Sequence, residues 1–304
     1  RLKRLLRLAL ACPMVALGCL PAHALVTGSF NIRYDNPKDV DNGNGWSQRA
    51  PIVASLVRFH RFEVLGIQEA LRNQVDDLHA LLPAYACSGC GRDDGKDAGE
   101  FAAIFYRKDL FVLRDSGTFW LSPTPTVPSI GWDAKFKRIC SWVKLESMKD
   151  RRTFYVFNTH FDHQGTVARL ESAKLIVRSI RKIAGEQPAI LTGDFNFDQT
   201  SESYHLLHDS GLFLVSYETA AERYALNGTP NGFKCGSFTE KRIDHVFHTN
   251  GFKPIRYGVL TDSYRSPSID MTETVSTAFP SEVSFKSYES RIPSDHFPVL
   301  VEFE

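Results

Sequence analysis

Six short polar segments sit at the ends of apolar runs in this chain, and each carries a group able to bind a metal ion or handle a proton. They are Ser29-Phe30-Asn31, Gln68-Glu69, Asn158-Thr159-His160, Gly193-Asp194-Phe195-Asn196, Arg242-Ile243-Asp244-His245 and Ser294-Asp295-His296. Polar residues commonly end buried strands, so one such segment means little. Six of them, built almost wholly from Asp, Glu, Asn and His, point to a single site fed by several strand ends. Carboxylate and amide oxygens are hard donors that suit Mg2+ or Mn2+, with Ca2+ also possible. Histidines beside such a set add groups that can handle a proton near neutral pH.

The residues between must hold these ends in place. Residues 25–32, 64–67, 101–106, 140–145, 154–161, 189–192, 243–247 and 299–303 read as strands, most clearly the aromatic and β-branched run 154–161. Ser47 can cap a helix running to about His60, with Pro51 in its first turn. A second helix is expected over 73–82. The third, over 167–183, repeats Ala168, Ala173, Leu175, Ile176, Ile180 and Ile183 at helical spacing. Residues 122–137 and 263–294 are rich in proline and read as long loops. Strands outnumber helices, and the helices fall between groups of strands. An α/β fold is therefore expected, with two packed sheets and helices on their outer faces, in one domain.

The chain has 304 residues, of which 43% are hydrophobic and 12% aromatic, too apolar for a disordered chain. Residues 1–24 read as a signal peptide. Arg1, Lys3, Arg4 and Arg7 precede an apolar stretch over 8–20, and Ala22-His23-Ala24 offers a cleavage site. The stretch is too short to span a bilayer. The expected product is residues 25–304, exported to the periplasm or secreted, with no stable membrane span and no evident protein partner. Four of the 36 Lys and Arg lie in the leader and none of the 35 Asp and Glu do, which leaves a net charge of −3. Such a protein has no global attraction for polyanions. Cys87, Cys90, Cys140 and Cys235 remain after cleavage and permit three pairings. Cys87 and Cys90 stand three apart on an expected strand and so face opposite ways, which argues against a shared zinc or redox site.

Gly-Asp-Phe-Asn, then Arg-Ile-Asp-His, then a terminal Ser-Asp-His-Phe-Pro-Val resemble, in that order, the endonuclease/exonuclease/phosphatase (DNase I-like) superfamily. The resemblance runs from about residue 25 to residue 303 and implies a four-layer α/β/β/α sandwich. It implies Glu69 as the main metal ligand, Asn31 completing the metal shell through its amide oxygen, and Asp295 as a metal or water contact. Asp194 is implied as the base that activates water. Asn196, two residues on along an extended segment, would hold that water or a phosphate oxygen. His296 is the implied phosphate contact, oriented and charged by Asp244. His160 would be a second phosphate-binding histidine, with Asn158 supporting the site. Arg107 and Arg138 are further phosphate candidates.

On substrate, the chain departs from the inositol-polyphosphate phosphatase pattern, with Leu191-Thr192 before and Phe197-Asp198 after the Gly-Asp-Phe-Asn segment. That segment and the Pro293-Ser294-Asp295-His296 ending are closer to CCR4-type exonucleases. The implied substrate is a phosphodiester in nucleic acid or a nucleotide, with single strands stacked on Trp132 and Phe136 and held by Lys135, Lys137 and Arg138. The alternatives are a phosphatase or a sphingomyelinase-like hydrolase of the phospholipase C type. A non-catalytic binding protein on the same fold is a further rival. Another is a metallo-β-lactamase-like zinc hydrolase built on the 158–163 segment, where Asn158 replaces the first expected histidine.

Overall fold

A computed structural model of the chain describes residues 24–267 and 288–304. Residues 1–23 of the expected leader and the middle of the second expected loop lie outside these. The elements run β1 (Leu25–Asn31), α1 (Trp46–Phe59), β2 (Val64–Ala70), α2 (Arg72–Leu81), β3 (Tyr85–Ser88), β4 (Phe101–Arg107), β5 (Phe111–Trp120), β6 (Ile139–Ser147) and β7 (Thr153–His160). There follow α3 (Thr166–Ala184), β8 (Ala189–Asp194), α4 (Glu202–His208), β9 (Leu214–Val215), α5 (Ser216–Thr219), β10 (Glu222–Tyr224) and β11 (Asp244–His248). The chain closes with β12 (Pro254–Val259), β13 (Tyr264–Pro267), β14 (Tyr288–Arg291) and β15 (Val299–Phe303).

The strands form two large sheets, in the orders β10-β12-β15-β1-β2-β4-β3 and β5-β6-β7-β8-β11-β9. Alternation assigns their faces. Along β4, Phe101, Ala103 and Phe105 pack with α1 and α2, while Ile104 and Tyr106 turn inward to meet Val143, Leu145 and Val156 of the other sheet. Along β7 and β8, Tyr155, Phe157 and Leu191 pack beneath Ala173, Ile176 and Ile180 of α3. The result is the α/β/β/α sandwich.

The two sheets are tied by buried polar groups as well as by apolar contact. Asn158 donates to Ile67 O at 2.8 Å and Ala103 O at 2.9 Å, and accepts from Gln68 Nε2 at 2.6 Å and Thr192 Oγ1 at 3.1 Å. Every hydrogen-bonding position of the amide is occupied, three by the opposing sheet and one by Thr192 of the neighbouring strand β8. Gly66 lies against this knot, where an added Cβ would fall 2.2 Å from Thr192 Oγ1 and 2.4 Å from Asn158 Oδ1. The residue must be glycine for the sheets to approach so closely.

Several local expectations change. Gly45, not Ser47, caps α1, its N–H donating to Gln48 Oε1 at 3.1 Å, so Pro51 falls in the second turn. Strands β5 and β12 and helix α4 were not anticipated. The middle of β5 is polar and exposed at a sheet edge, β12 opens on a proline and contains a glycine, and α4 has only seven residues. The ends of the expected 263–294 loop pair as an antiparallel hairpin, β13 with β14. Residues 122–137 do form a loop, pinned where Asp133 accepts from Ala168 N–H at 2.6 Å at the start of α3. The four cysteines in the described residues are free, with Cys140 buried in the second sheet and Cys235 exposed. No helix among the described residues is long and apolar enough to cross a membrane.

Candidate active site

Strand register brings the polar ends together. His160 of β7 lies opposite Asp194 of β8, and Asp194 lies opposite Asp244 of β11. In the other sheet, Asn31 of β1 lies opposite Gln68 of β2. Parity along each strand turns Asn31, His160, Asp194 and Asp244 into the space between the sheets, at its open end. Asn31 crosses that space, donating through Nδ2 to Glu69 Oε1 at 3.0 Å and to Asp194 Oδ2 at 2.9 Å. Its amide nitrogen therefore faces the carboxylates, while Oδ1 accepts from Arg33 N–H at 3.0 Å. An amide oxygen presented to a cation would require the group to turn over.

Simple alternation along β2 would aim Glu69 away from Asn31, towards the helices. The β2–β4 register slips between Ile67 and Ala70, and Glu69 adopts a left-handed φ of 66°. A bulge of this kind re-aims a side chain. Here it swings Glu69 back over the site, where Tyr34 N–H also donates to its Oε2 at 3.2 Å. Asn196 is likewise left-handed, at φ 51°. The segment after Asp194 is thus a tight turn and not extended as expected, because Asp194 Oδ1 accepts from Asn196 N–H at 2.9 Å. The turn still returns Asn196 to the site. Its Nδ2 lies 3.0 Å from His160 Nε2 and donates to Phe161 O at 2.9 Å. Left-handed backbone at two residues of one cluster is local strain of the sort that gathers at functional sites.

The charges follow from these positions. Burial, and then the neighbouring Asp244 carboxylate, raise the Asp194 pKa, which His296 only partly offsets. Burial opposes the charge on His296, but Asp244 and Asp194 overcome it and hold the imidazole protonated well above its usual range. His296 Nδ1 lies 2.8 Å from Asp244 Oδ2, and its Nε2 lies 3.9 Å from Asp194 Oδ2. His160 is the opposite case. Burial, then Arg138 and Arg92, hold it neutral. Its Nε2 accepts from Asn196, and its Nδ1 lies 3.7 Å from Glu100 Oε2. His160 therefore acts on Asn196 before it can reach a phosphate.

Two groups of donors lie within 4.8 Å of one another, Glu69 with His160 and Asp194, and Asp194 with Asp244 and His296. Asp295 stands beside them, 3.5 Å from Arg33 Nη1, with its pKa raised by burial foremost and by the Glu69 charge among its neighbours. Carboxylates so placed repel one another. The hard oxygen donors and their crowded negative charge fit a divalent cation at Glu69 and Asp194.

Two expected contributors lie elsewhere. Arg107 ends β4 beside the start of β2, at the far end of the sheet from Glu69, where Asp109 pairs with it at 2.6 Å. Asn158 is spent on tying the sheets and offers nothing to a substrate. Arg138 borders the site, buried, with its guanidinium 3.5 Å from Asp162 and 3.2 Å from His163 Nδ1. Of the loop aromatics, Trp132 packs against the core and Phe136 stacks on His163 beneath the Arg92 guanidinium.

Three neighbours of the site went unread in the sequence, namely Arg33, Glu100 and Arg49. Arg33 follows β1 and pairs with Asp39 at 3.0 Å and with Asp295. Glu100 precedes β4 and faces His160. Fully buried Arg49 donates to Ile32 O at 2.6 Å and Pro293 O at 3.1 Å, holding the two loops that carry Arg33 and Asp295. Only the first two lie next to strand ends, where a search for polar residues could have met them.

A model of the Endonuclease/Exonuclease/phosphatase family matches residues 28–296. An endonuclease/exonuclease/phosphatase family protein from Bacteroides thetaiotaomicron is 47% identical with a TM-score of 0.86, covering 92% of this chain and 98% of its own. The mannosyl-6-phosphatase of Bacteroides thetaiotaomicron VPI-5482 is 48% identical with a TM-score of 0.84, covering 92% and 99%. D. rerio TDP2, solved with a single-strand DNA product, shares the fold at 16% identity and a TM-score of 0.64, covering 93% and 100%.

Proposed function

This chain belongs to the endonuclease/exonuclease/phosphatase family and is a phosphoric ester hydrolase, and from that premise we propose that it removes a phosphate monoester from a hexose, with mannose 6-phosphate as the model substrate. The observation that carries this reading is the 48% identity, over nearly the whole of both chains, to a mannosyl-6-phosphatase. The second reading is a phosphodiester in nucleic acid, drawn from the Gly193–Asn196 segment and the 293–296 ending. The single-strand DNA complex of TDP2 keeps it in view, but at an identity where only the fold is shared. A net charge of −3 outside residues 1–24 weighs against a polyanionic strand. Export through residues 1–24 belongs to the proposal too.

Glu69, Asp194 and a turned-over Asn31 would hold Mg2+ or Mn2+, with Asp295 close by. Bound there, the ion would neutralise phosphoryl oxygens and the departing alkoxide. Asp194, fixed by Asn196 N–H, takes a proton from the attacking water. Asn196 spends its N–H bonds on Phe161 O and His160, which leaves its amide oxygen to accept from that water. The water oxygen bonds to phosphorus as the bond to the sugar oxygen breaks. His296, kept charged by Asp244, faces the negative charge that grows on the phosphoryl group.

A substrate panel with saturating Mg2+ or Mn2+ tests the choice. Mannose 6-phosphate is expected to exceed bis-p-nitrophenyl phosphate, single-stranded RNA and sphingomyelin in kcat/KM by about a hundredfold or more. Cleavage of RNA or the diester with mannose 6-phosphate left intact would favour the second reading.

A further inference from the structure

A groove of about 530 Å3 opens beside the candidate active site, between the first turn of α3 and the segment that joins β8 to α4. Asn196 and Ile243 line its inner end. Asn196 touches His160, so the groove meets the candidate active site at Asn196. Its volume lies within the roughly 300–1,000 Å3 of small-molecule sites.

The lining selects an occupant by charge. Arg169 and Lys241 stand against Asp198 and Glu202, so the groove carries two cations and two anions. Lys241 Nζ lies 3.9 Å from Asp198 Oδ2. Arg169 is half-buried and donates to Asp162 O at 3.0 Å. Among these residues no aromatic ring is exposed, since Phe197 is 5% accessible. Val167 offers an apolar patch, at 52% exposure. A nucleic-acid strand brings a charge with every nucleotide and bases that stack on rings, and this lining answers neither. An inositol polyphosphate would likewise need an excess of cations. Sugar hydroxyls both donate and accept, and charged acceptors alternating with charged donors over a small apolar patch match them.

We propose that this groove is the leaving-group subsite, and that it seats an uncharged, polyhydroxylated ring whose phosphate reaches Asn196 and His296. The proposal rests on the monoesterase reading and adds to it the residues that choose the alcohol. Lys241 and Val167 are exposed on opposite walls, which makes them safe to change.

The test is the ratio of kcat/KM for mannose 6-phosphate to kcat/KM for methyl phosphate, measured with saturating Mg2+ on the full chain, Lys241→Ala and Val167→Trp. Methyl phosphate has the same reacting group and no ring. Loss of a charge-assisted contact to a hydroxyl is expected to lower the ratio about tenfold in Lys241→Ala. Filling the groove in Val167→Trp is expected to lower it at least as far. If both substrates lose equally, or if neither variant changes the ratio, the subsite assignment is overturned while the monoesterase reading stands. A parent protein that hydrolyses methyl phosphate but no sugar phosphate also overturns the assignment. One that hydrolyses no monoester overturns the monoesterase reading as well.

Discussion

Asp194→Asn is expected to lower kcat by about three to four orders of magnitude while the protein remains folded. The amide keeps the size of the carboxyl and can still accept from Asn196 N–H, so the turn survives. The proton acceptor does not. The same change has a signed effect on stability. The Asp194 pKa lies above its ordinary value because burial and Asp244 disfavour the carboxylate. An acid whose folded pKa is raised keeps its proton more firmly in the native state, so stability falls as pH rises from the usual carboxylate range to the raised value. In metal-free protein, Asp194→Asn should therefore melt higher than the parent near neutral pH, and the gap should shrink as pH drops towards the ordinary carboxylate pKa. Single-turnover rates and thermal melts from about pH 4 to pH 8 would check both. An activity within about tenfold of the parent would remove Asp194 from the role of base.

Asp244→Asn should lower kcat/KM by about two to three orders of magnitude through His296. The substituted amide oxygen can still accept from Nδ1, and the 2.8 Å contact need not open. What the variant loses is the charge. Burial already opposes protonation of His296, with Asp244 and Asp194 supplying the compensation. Removing the first of these lowers the imidazole pKa, so the basic limb of the pH–rate profile should move to lower pH. A profile whose limb stays in place would show that His296 does not act as a cation.

Much of the site was legible because a strand's period is two. Once β7, β8 and β11 are placed, parity puts His160, Asp194 and Asp244 on one face, and register sets them side by side. Glu69 and Asn196 reach the site by local exceptions, a bulge and a left-handed turn. A residue-by-residue reading names these residues but does not explain how they point there. Asn158 follows the parity rule and still misses a substrate role, because two residues short of the strand end it meets the opposing sheet instead of the opening. Arg107 failed for want of direction, since a strand has two ends and only one is the site. Arg49 was invisible for another reason. Its partners are main-chain carbonyls, most of them on residues distant in sequence, and no side-chain pattern announces them. The groove proposed to seat the alcohol has walls from α3, the 196–202 segment and residues just before β11, and spacing along the chain says nothing of their meeting.

Whether a divalent cation at Glu69 and Asp194 serves hydrolysis of a sugar phosphate is decided by stripping the protein with a chelator and titrating Mg2+ or Mn2+ back into mannose 6-phosphate hydrolysis, for the parent and for Glu69→Gln. The stripped parent is expected to be inactive, either ion to restore it, and Glu69→Gln to need about ten- to a hundredfold more metal for half-maximal rate. Undiminished activity in the stripped parent, or equal metal requirements for the two proteins, would contradict that role of the cation.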